Sequence, residues 1–245
     1  MEIIKGDFEK ALNIAKSNKQ LNGIGTYMEK TLHIFMKYFI EPDSTFHEIS
    51  VNKKCADIFN ENGIFEIQTR SFNNLRSKLE SFLLENKVTI VYPYAAEKWL
   101  MWLDTETGEI SKRRKSPRKL NNFDSFYELY KIKQYLSHPN LNLLFVGLEM
   151  EEIRYLNGWS KDRKKGSERM DRFPVSIKET LHIKTMDDYI WLLPANLPSP
   201  FTSGDYVKCA KVSIRVAGYA LNCLESLEII KCIGKDGRKK LYEIV

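Results

Sequence analysis

The chain has 245 residues, 43% of them hydrophobic, and 38 Lys and Arg against 32 Asp and Glu give a formal net charge of +6. That length and apolar fraction support a folded protein, one ordinary domain with a small second one, and exclude a disordered chain. No run approaches the roughly eighteen apolar residues of a membrane-spanning helix, and the opening MEIIKGDFEK is charged where a signal peptide is apolar, so the expected compartment is the cytoplasm. The modest positive charge favours a polyanionic partner. Cys55, Cys209, Cys223 and Cys232 form no CxxC pair and read as reduced, mostly buried thiols.

Met28, Leu32, Phe35, Met36 and Phe39 recur at helical spacing and predict an amphipathic helix over 26–40, ending before Pro42, with Glu29 at the edge of its apolar stripe. HEISV, ADIF and IFEIQTR read as three strands, Phe72, Leu75, Leu79 and Phe82 predict a second helix, and VTIVYPYA is a β-branched run typical of a buried strand. KWLMWLDTETGEISKRR predicts a hairpin turning at Thr107-Gly108, followed by a helix near 123–136 and a strand LNLLFVGLEM. Together these predict an α/β domain over residues 1–156.

Residues 157–174, NGWSKDRKKGSERMDRFP, lose apolar periodicity and gather Lys, Arg, Gly and Ser, which predicts a basic linker. In the tail, 175–245, a helix is expected near 186–193. Thr202 with Asp205 caps a short helix, and Ser213 caps a longer one whose Val216, Ala220, Leu224 and Leu227 repeat at three to four residues. EIIKCI and KKLYEIV then flank a turn-rich basic tip at 234–238.

The stretch DIFNENGIFEIQT, residues 57–69, places Asp57 before a turn and Glu66 and Gln68 after it. With Asn62-Gly63 as a type I′ turn, counting outward pairs Phe59 with Glu66 and Asp57 with Gln68. Asp57, Glu66 and Gln68 then share one face, with the two carboxylates as diagonal neighbours. Carboxylates so placed repel unless protons or a cation neutralise them, and oxygen ligands suit a hard divalent ion such as Mg²⁺ or Mn²⁺. On these residues alone the pair also reads as two solvent-facing strand carboxylates.

The order of these features, a helix carrying Glu29, a strand, Asp57 on the next strand, Glu66-Ile67-Gln68 on the third, then a helix and VTIVYPYA, resembles the core of the PD-(D/E)xK, or restriction-endonuclease-like, nuclease superfamily over roughly residues 20–95. The resemblance implies that Asp57 and Glu66 are metal ligands, that Glu29 supports them, and that Gln68 stands at the position where the family has lysine. It implies a Mg²⁺- or Mn²⁺-dependent nuclease acting on nucleic acid, DNA in the first instance, and leaves a homodimer among the expected assemblies. Arg70 and Arg76, just past the motif, are candidate phosphate contacts, with Lys78 assisting, and His33 reads as a packing or hydrogen-bonding residue. Ala56 stands before Asp57 where many members carry proline.

SKRRKSPRK, residues 111–119, holds six cations in nine residues: Lys112, Arg113, Arg114, Lys115, Arg118 and Lys119. Such a run reads either as a solvated loop or as a nucleic-acid clamp that gains affinity by displacing counterions. Lys161, Arg163, Lys164 and Lys165 in the linker read the same two ways. The tail resembles a winged-helix domain, which implies that 213–228 is its recognition helix and the hairpin its wing. Arg215, Asn222, Lys235, Arg238 and Lys239 are the implied contacts. Three functions stand after this reading: a metal-dependent nuclease with a winged helix that grips its substrate, a nucleic-acid-binding or regulatory protein that keeps the nuclease fold without its chemistry, and a protein-interaction adaptor whose two domains bind other chains.

Overall fold

The computed structural model describes residues 3–21, 30–69, 71–158 and 168–245. Helices α1 (Phe8–Leu21) and α2 (Thr31–Ile40) precede an antiparallel meander of β1 (His47–Val51), β2 (Lys54–Asn60) and β3 (Gly63–Ile67). Helix α3 (Arg76–Phe82) crosses to β4 (Val88–Leu103), which lies parallel to β3, as a helical crossover requires. A short β5 (Arg114–Lys115) folds back on β4, and α4 (Phe126–Leu129) leads to β6 (Leu141–Tyr155), parallel to β4. Strand β7 (Arg169–Ile183) closes the sheet antiparallel to β6, giving the order β1-β2-β3-β4-β6-β7. Helices α5 (Ser203–Ala210) and α6 (Ile214–Ser226) and the hairpin β8 (Ile230–Asp236) and β9 (Lys239–Ile244) complete the chain.

The α/β class and most elements follow the periodicities. Helix α2 begins at Thr31, and residues 26–29 of the expected helix, Glu29 included, lie outside the described residues. Helix α1 adds a layer that the sequence does not announce, because among its described side chains those fully buried are Ala11, Leu12 and Ala15, too small a stripe to stand out. The expected helix at 123–136 is instead a series of short helical turns, interrupted at Ile132 (φ −118°, ψ 19°). The one expected near 186–193 is a 3₁₀ turn, Asp187–Leu192. Both caps of the tail are made: Thr202 and Asp205 form a reciprocal capping box, and Ser213 accepts from the Val216 N–H.

Two expectations change. Residues 169–174, read as the end of a linker, begin β7, whose pairs with β6 include Arg154↔Arg169 and Glu152↔Arg172; 159–167, with Lys161, Arg163, Lys164 and Lys165, lie outside the described residues. Residues 175–245 also do not form a core of their own. One buried cluster runs from Ile64, Ile90 and Phe145 on the sheet through Phe126 and Leu129 to Tyr206, Leu221, Leu224 and Tyr242. A second cluster on the opposite face of the sheet is sealed by α1 and α2. Of the cysteines only Cys223 is buried, whereas Cys55 and Cys232 are exposed.

Candidate active site

The β2–β3 turn decides where the acids go. A type I′ turn at Asn62-Gly63 needs positive φ at both residues, but only Gly63 has it (φ +103°), and a side chain there would strike the Lys87 carbonyl. Glu61 and Asn62 therefore make the turn, with Asn60 Oδ1 accepting from the Asn62 N–H at 2.9 Å. The observed pairs are Asn60↔Gly63, Phe59↔Ile64 and Ile58↔Phe65, two residues away from the expected register. A two-residue slip keeps every side chain on its face. Continued one step, this register sets Asp57 opposite Glu66, where the sequence reading had Gln68.

Pairing stops at Ile58↔Phe65, so the two acids stand where β2 and β3 part. The Asp57 carboxylate takes over there: its Oδ2 accepts the Ile67 N–H at 2.7 Å and lies 3.2 Å from His33 Nε2 of α2. His33 thus bonds the acid, as a positioning residue would. Glu66 is 2% exposed, on a strand whose other neighbour is Ile90 of β4. Burial, with the Asp57 charge adding to it, pushes its carboxyl up to about 7, although Lys78 works in the opposite direction.

Lys78 comes from α3. Leu75, Leu79 and Phe82 bury the face of that helix which meets the sheet, and Lys78 falls within the same stripe. Its Nζ donates to Glu66 Oε1 at 3.0 Å and Oε2 at 2.8 Å. A lysine inside an apolar stripe was the signal for it in the sequence. Gln68 lies just past the end of β3, half-buried, its N–H donating to the Val91 carbonyl at 2.9 Å. Among the described residues no group of three or more His, Cys, Asp or Glu gathers to hold a metal ion, and Glu29 and Arg70 lie outside those residues.

The other expected contacts are spread widely. Arg76 points to Gln134 Oε1 at 3.3 Å, and Asn222 accepts from Lys133 Nζ at 2.7 Å. Arg113 stacks on Trp99, 4.2 Å from the ring centre, and pairs with Glu149 and Glu151, while Lys115 pairs with Glu97. Glu149 is held down to about 2 by Lys178 of β7 and by the Trp99 indole, and Arg113 and Lys115 tie this half of the basic run to β4 and β6. Lys112 and Arg114 are exposed beside it.

Arg118 is the member of the run that, with Lys119, reaches a cleft of about 530 Å³ between Tyr92, α4 and the start of α6. Arg215 lines this cleft from α6, set over the Tyr127 and Tyr219 rings and donating to the Tyr219 hydroxyl at 3.0 Å. Lys235, Arg238 and Lys239 are exposed at the tip of the β8–β9 hairpin, where Lys235 directly faces Lys240. Like charges so opposed destabilise a bare hairpin. No described helix is long and apolar enough to cross a membrane.

Comparison with known proteins adds a family without an assigned activity. The family described as Domain of unknown function (DUF8091) matches residues 30–184, which takes in the whole sheet and the acidic pair. An uncharacterized protein of Treponema pallidum (strain Nichols) is 25% identical over 226 residues, covering 89% of this chain and 86% of the relative. No solved structure matches the chain.

Proposed function

The chain belongs to the DUF8091 family, and from the geometry of its site we propose that it is a metal-dependent nuclease of the PD-(D/E)xK kind, hydrolysing phosphodiester bonds in nucleic acid, DNA in the first instance. The observation that carries this reading is the acidic pair at the parting of β2 and β3, with Glu66 raised first by burial and then by Asp57, and met by a lysine from α3. The antiparallel meander, the helical crossover and the two parallel strands that follow support the same fold.

Asp57 and Glu66 would hold Mg²⁺ or Mn²⁺. Two hard oxygen donors whose charges oppose each other are a set that a divalent cation relieves. Such an ion supplies a water of lowered pKa and a clamp on a phosphate oxygen. The chain's own residues do the rest. The Ile67 N–H and His33 fix the Asp57 carboxylate, so it does not turn away into solvent. Gln68, at the family's lysine position, offers only neutral hydrogen bonds. Lys78 supplies the missing positive charge from the helix, neutralising Glu66 at rest and standing beside any phosphate that the site admits. The helix, turn, helix and hairpin of the C-terminal part support a winged helix that grips the substrate with Arg215 and the basic tip.

Cleavage of supercoiled plasmid and labelled oligonucleotides with Mg²⁺ or Mn²⁺ tests the proposal, with Asp57→Asn and Glu66→Gln purified in parallel and Mn²⁺ binding measured by calorimetry. The expectation is that wild type binds the ion and cleaves, and that both variants lose both properties. Gln68 also favours a second reading, a non-catalytic nucleic-acid-binding protein on the same scaffold. Ion and nucleic-acid binding without cleavage would select it, and no ion binding at all would remove the metal site.

A further inference from the structure

Beyond the end of β3, strands β4, β6 and β7 continue together, and residues 116–120 are strapped along β4 by Ser116 N–H to Lys98 O at 2.8 Å and Leu120 N–H to Ala95 O at 3.1 Å. Next to this strap lies a cleft of about 200 Å³ lined by Thr69, Tyr92, Lys98, Arg118, Glu152 and Arg172, with Arg169 also in its wall. Tyr92, Arg118 and Leu120 belong to the larger cleft as well, so the two are joined.

The charges in the smaller cleft do not balance. Glu152 is 3% exposed, and Arg154 claims its Oε1 at 2.7 Å while Lys98 approaches Oε2 at 3.5 Å. Burial, with Arg169 beside it, pulls the Arg172 guanidinium down to about 10, and burial likewise lowers the Lys98 ammonium. Cations withdrawn from water are costly unless an anion meets them. Lys98 and Arg172 are drawn from water beside Glu152, which Arg154 already holds, with Asp171 also acting on Arg172, while Arg118, itself exposed and acting on Asp124, lines the same cleft.

The shape and donors name the missing anion. Guanidinium forks fit the oxygens of a phosphate two at a time. Burial pushes the Tyr92 hydroxyl up to about 12, so it stays a proton donor. The volume equals roughly seven waters, enough for a phosphate and part of its sugar but not for a base pair. Several cationic side chains converging on one cleft suit the dianion of a phosphomonoester better than the single charge of an internal phosphodiester. The cleft also adjoins the acidic pair. Arg172 Nη2 meets the Thr69 carbonyl at 3.5 Å, three residues or about 10 Å of strand past Glu66, and Tyr92 is the next residue on the same face of β4 after Ile90, the partner of Glu66.

We propose that this cleft binds the terminal phosphate of a nucleic-acid strand and so sets the distance from the strand end to the Asp57–Glu66 site. Phosphate binding stands by itself, whereas its assignment to a strand end rests on the nuclease reading. At about 3.4 Å per nucleotide along one strand, an end seated here brings a bond about three nucleotides in to the acids, so products are short and released from an end.

The test measures binding of the full-length protein, without divalent metal, to labelled single strands carrying a 5′-phosphate, a 3′-phosphate or hydroxyls at both ends, with inorganic phosphate as competitor. One phosphorylated end should bind about tenfold tighter than the hydroxyl strand. The preference should vanish in Arg118→Gln and Arg172→Gln and survive in Asp57→Asn. Arg118 is exposed, so its variant decides if Arg172→Gln does not fold. Equal affinity for all three strands, or a preference unchanged in the Arg118 variant, overturns the proposal. Competition by inorganic phosphate with no end preference overturns the strand assignment and leaves a site for free phosphate. An end preference in a protein that cleaves nothing overturns the nuclease reading and leaves this site standing.

Discussion

Glu66→Gln separates the cost of burying a charge from the benefit of its ion pair. In the fold Glu66 titrates at about 7, against an ordinary 4.5. The folded state therefore holds this proton more tightly than the unfolded chain does. The stabilisation this provides is complete below pH 4.5 and is lost as the pH rises through 7. Two and a half units at 1.36 kcal/mol each make the loss about 3 kcal/mol, and the residue is too buried for solvent to discount it much. Glutamine mimics the protonated acid at every pH. Melting curves should thus coincide near pH 4.5 and separate by pH 8, with Glu66→Gln the more stable by up to about 3 kcal/mol, or roughly 6–12 °C for a chain of this size. If the acids hold a divalent ion, Mn²⁺ at a hundredfold excess over its Kd should return about 2.7 kcal/mol to wild type and little to the variant. Scanning calorimetry from pH 4.5 to 8.5, with and without Mn²⁺, reads all of this. A variant less stable than wild type at pH 8 would mean that the Lys78 pair outweighs burial, and parallel pH profiles would refute the shift itself.

Lys78→Gln removes the group that holds Glu66 down, so the pH midpoint of Glu66 should move further up and any cleavage should fall. Adding Gln68→Lys in that background should restore part of the cleavage if the two positions supply one charge, and no restoration would mean that Lys78 serves only the fold. Lys235→Gln, Arg238→Gln and Lys239→Gln combined should not lower melting, since all three are exposed and losing Lys235 relieves its repulsion with Lys240, and should make the salt dependence of nucleic-acid binding shallower by about 2–3 in log–log slope. An unchanged slope would take the hairpin out of the interface. Deleting residues 171–245 cannot replace that variant, because it removes β7 and half of a shared core, and it is expected to yield an insoluble or molten chain by circular dichroism. Under native conditions Cys55 and Cys232 should react with a thiol reagent, whereas Cys223, whose thiol burial pushes up to about 12, should react only on unfolding. Rapid reaction of a third thiol would place Cys209 at the surface too.

Local patterns in the chain determine the strand and helix order from α2 through α3 and β4, and both helix caps of the tail. Each depends on neighbours within a few residues: alternation, apolar spacing, a hydroxyl before a helix. The misplaced turn shifts the pairing by two residues, which leaves side-chain alternation along the paired part of the ladder unchanged. The register itself was not legible, since a type I′ turn needs positive φ at both Asn62 and Gly63 and only Gly63 has it, set against the Lys87 carbonyl from a later part of the chain, which leaves room only for glycine. The basic run shows the same division. Its charge is plain in the sequence, but only the positions of Glu97, Glu149 and Glu151 on the sheet decide that Arg113 and Lys115 are tied down while Arg118 reaches a cleft. Arg169 and Arg172 were hidden in a stretch without apolar periodicity, because a strand whose pairing comes from β6 needs no periodicity of its own to form. Burial, and with it the raised carboxyl of Glu66 and the charge surplus around Glu152, is set by contacts between segments far apart in the chain, so only the tertiary structure could decide it.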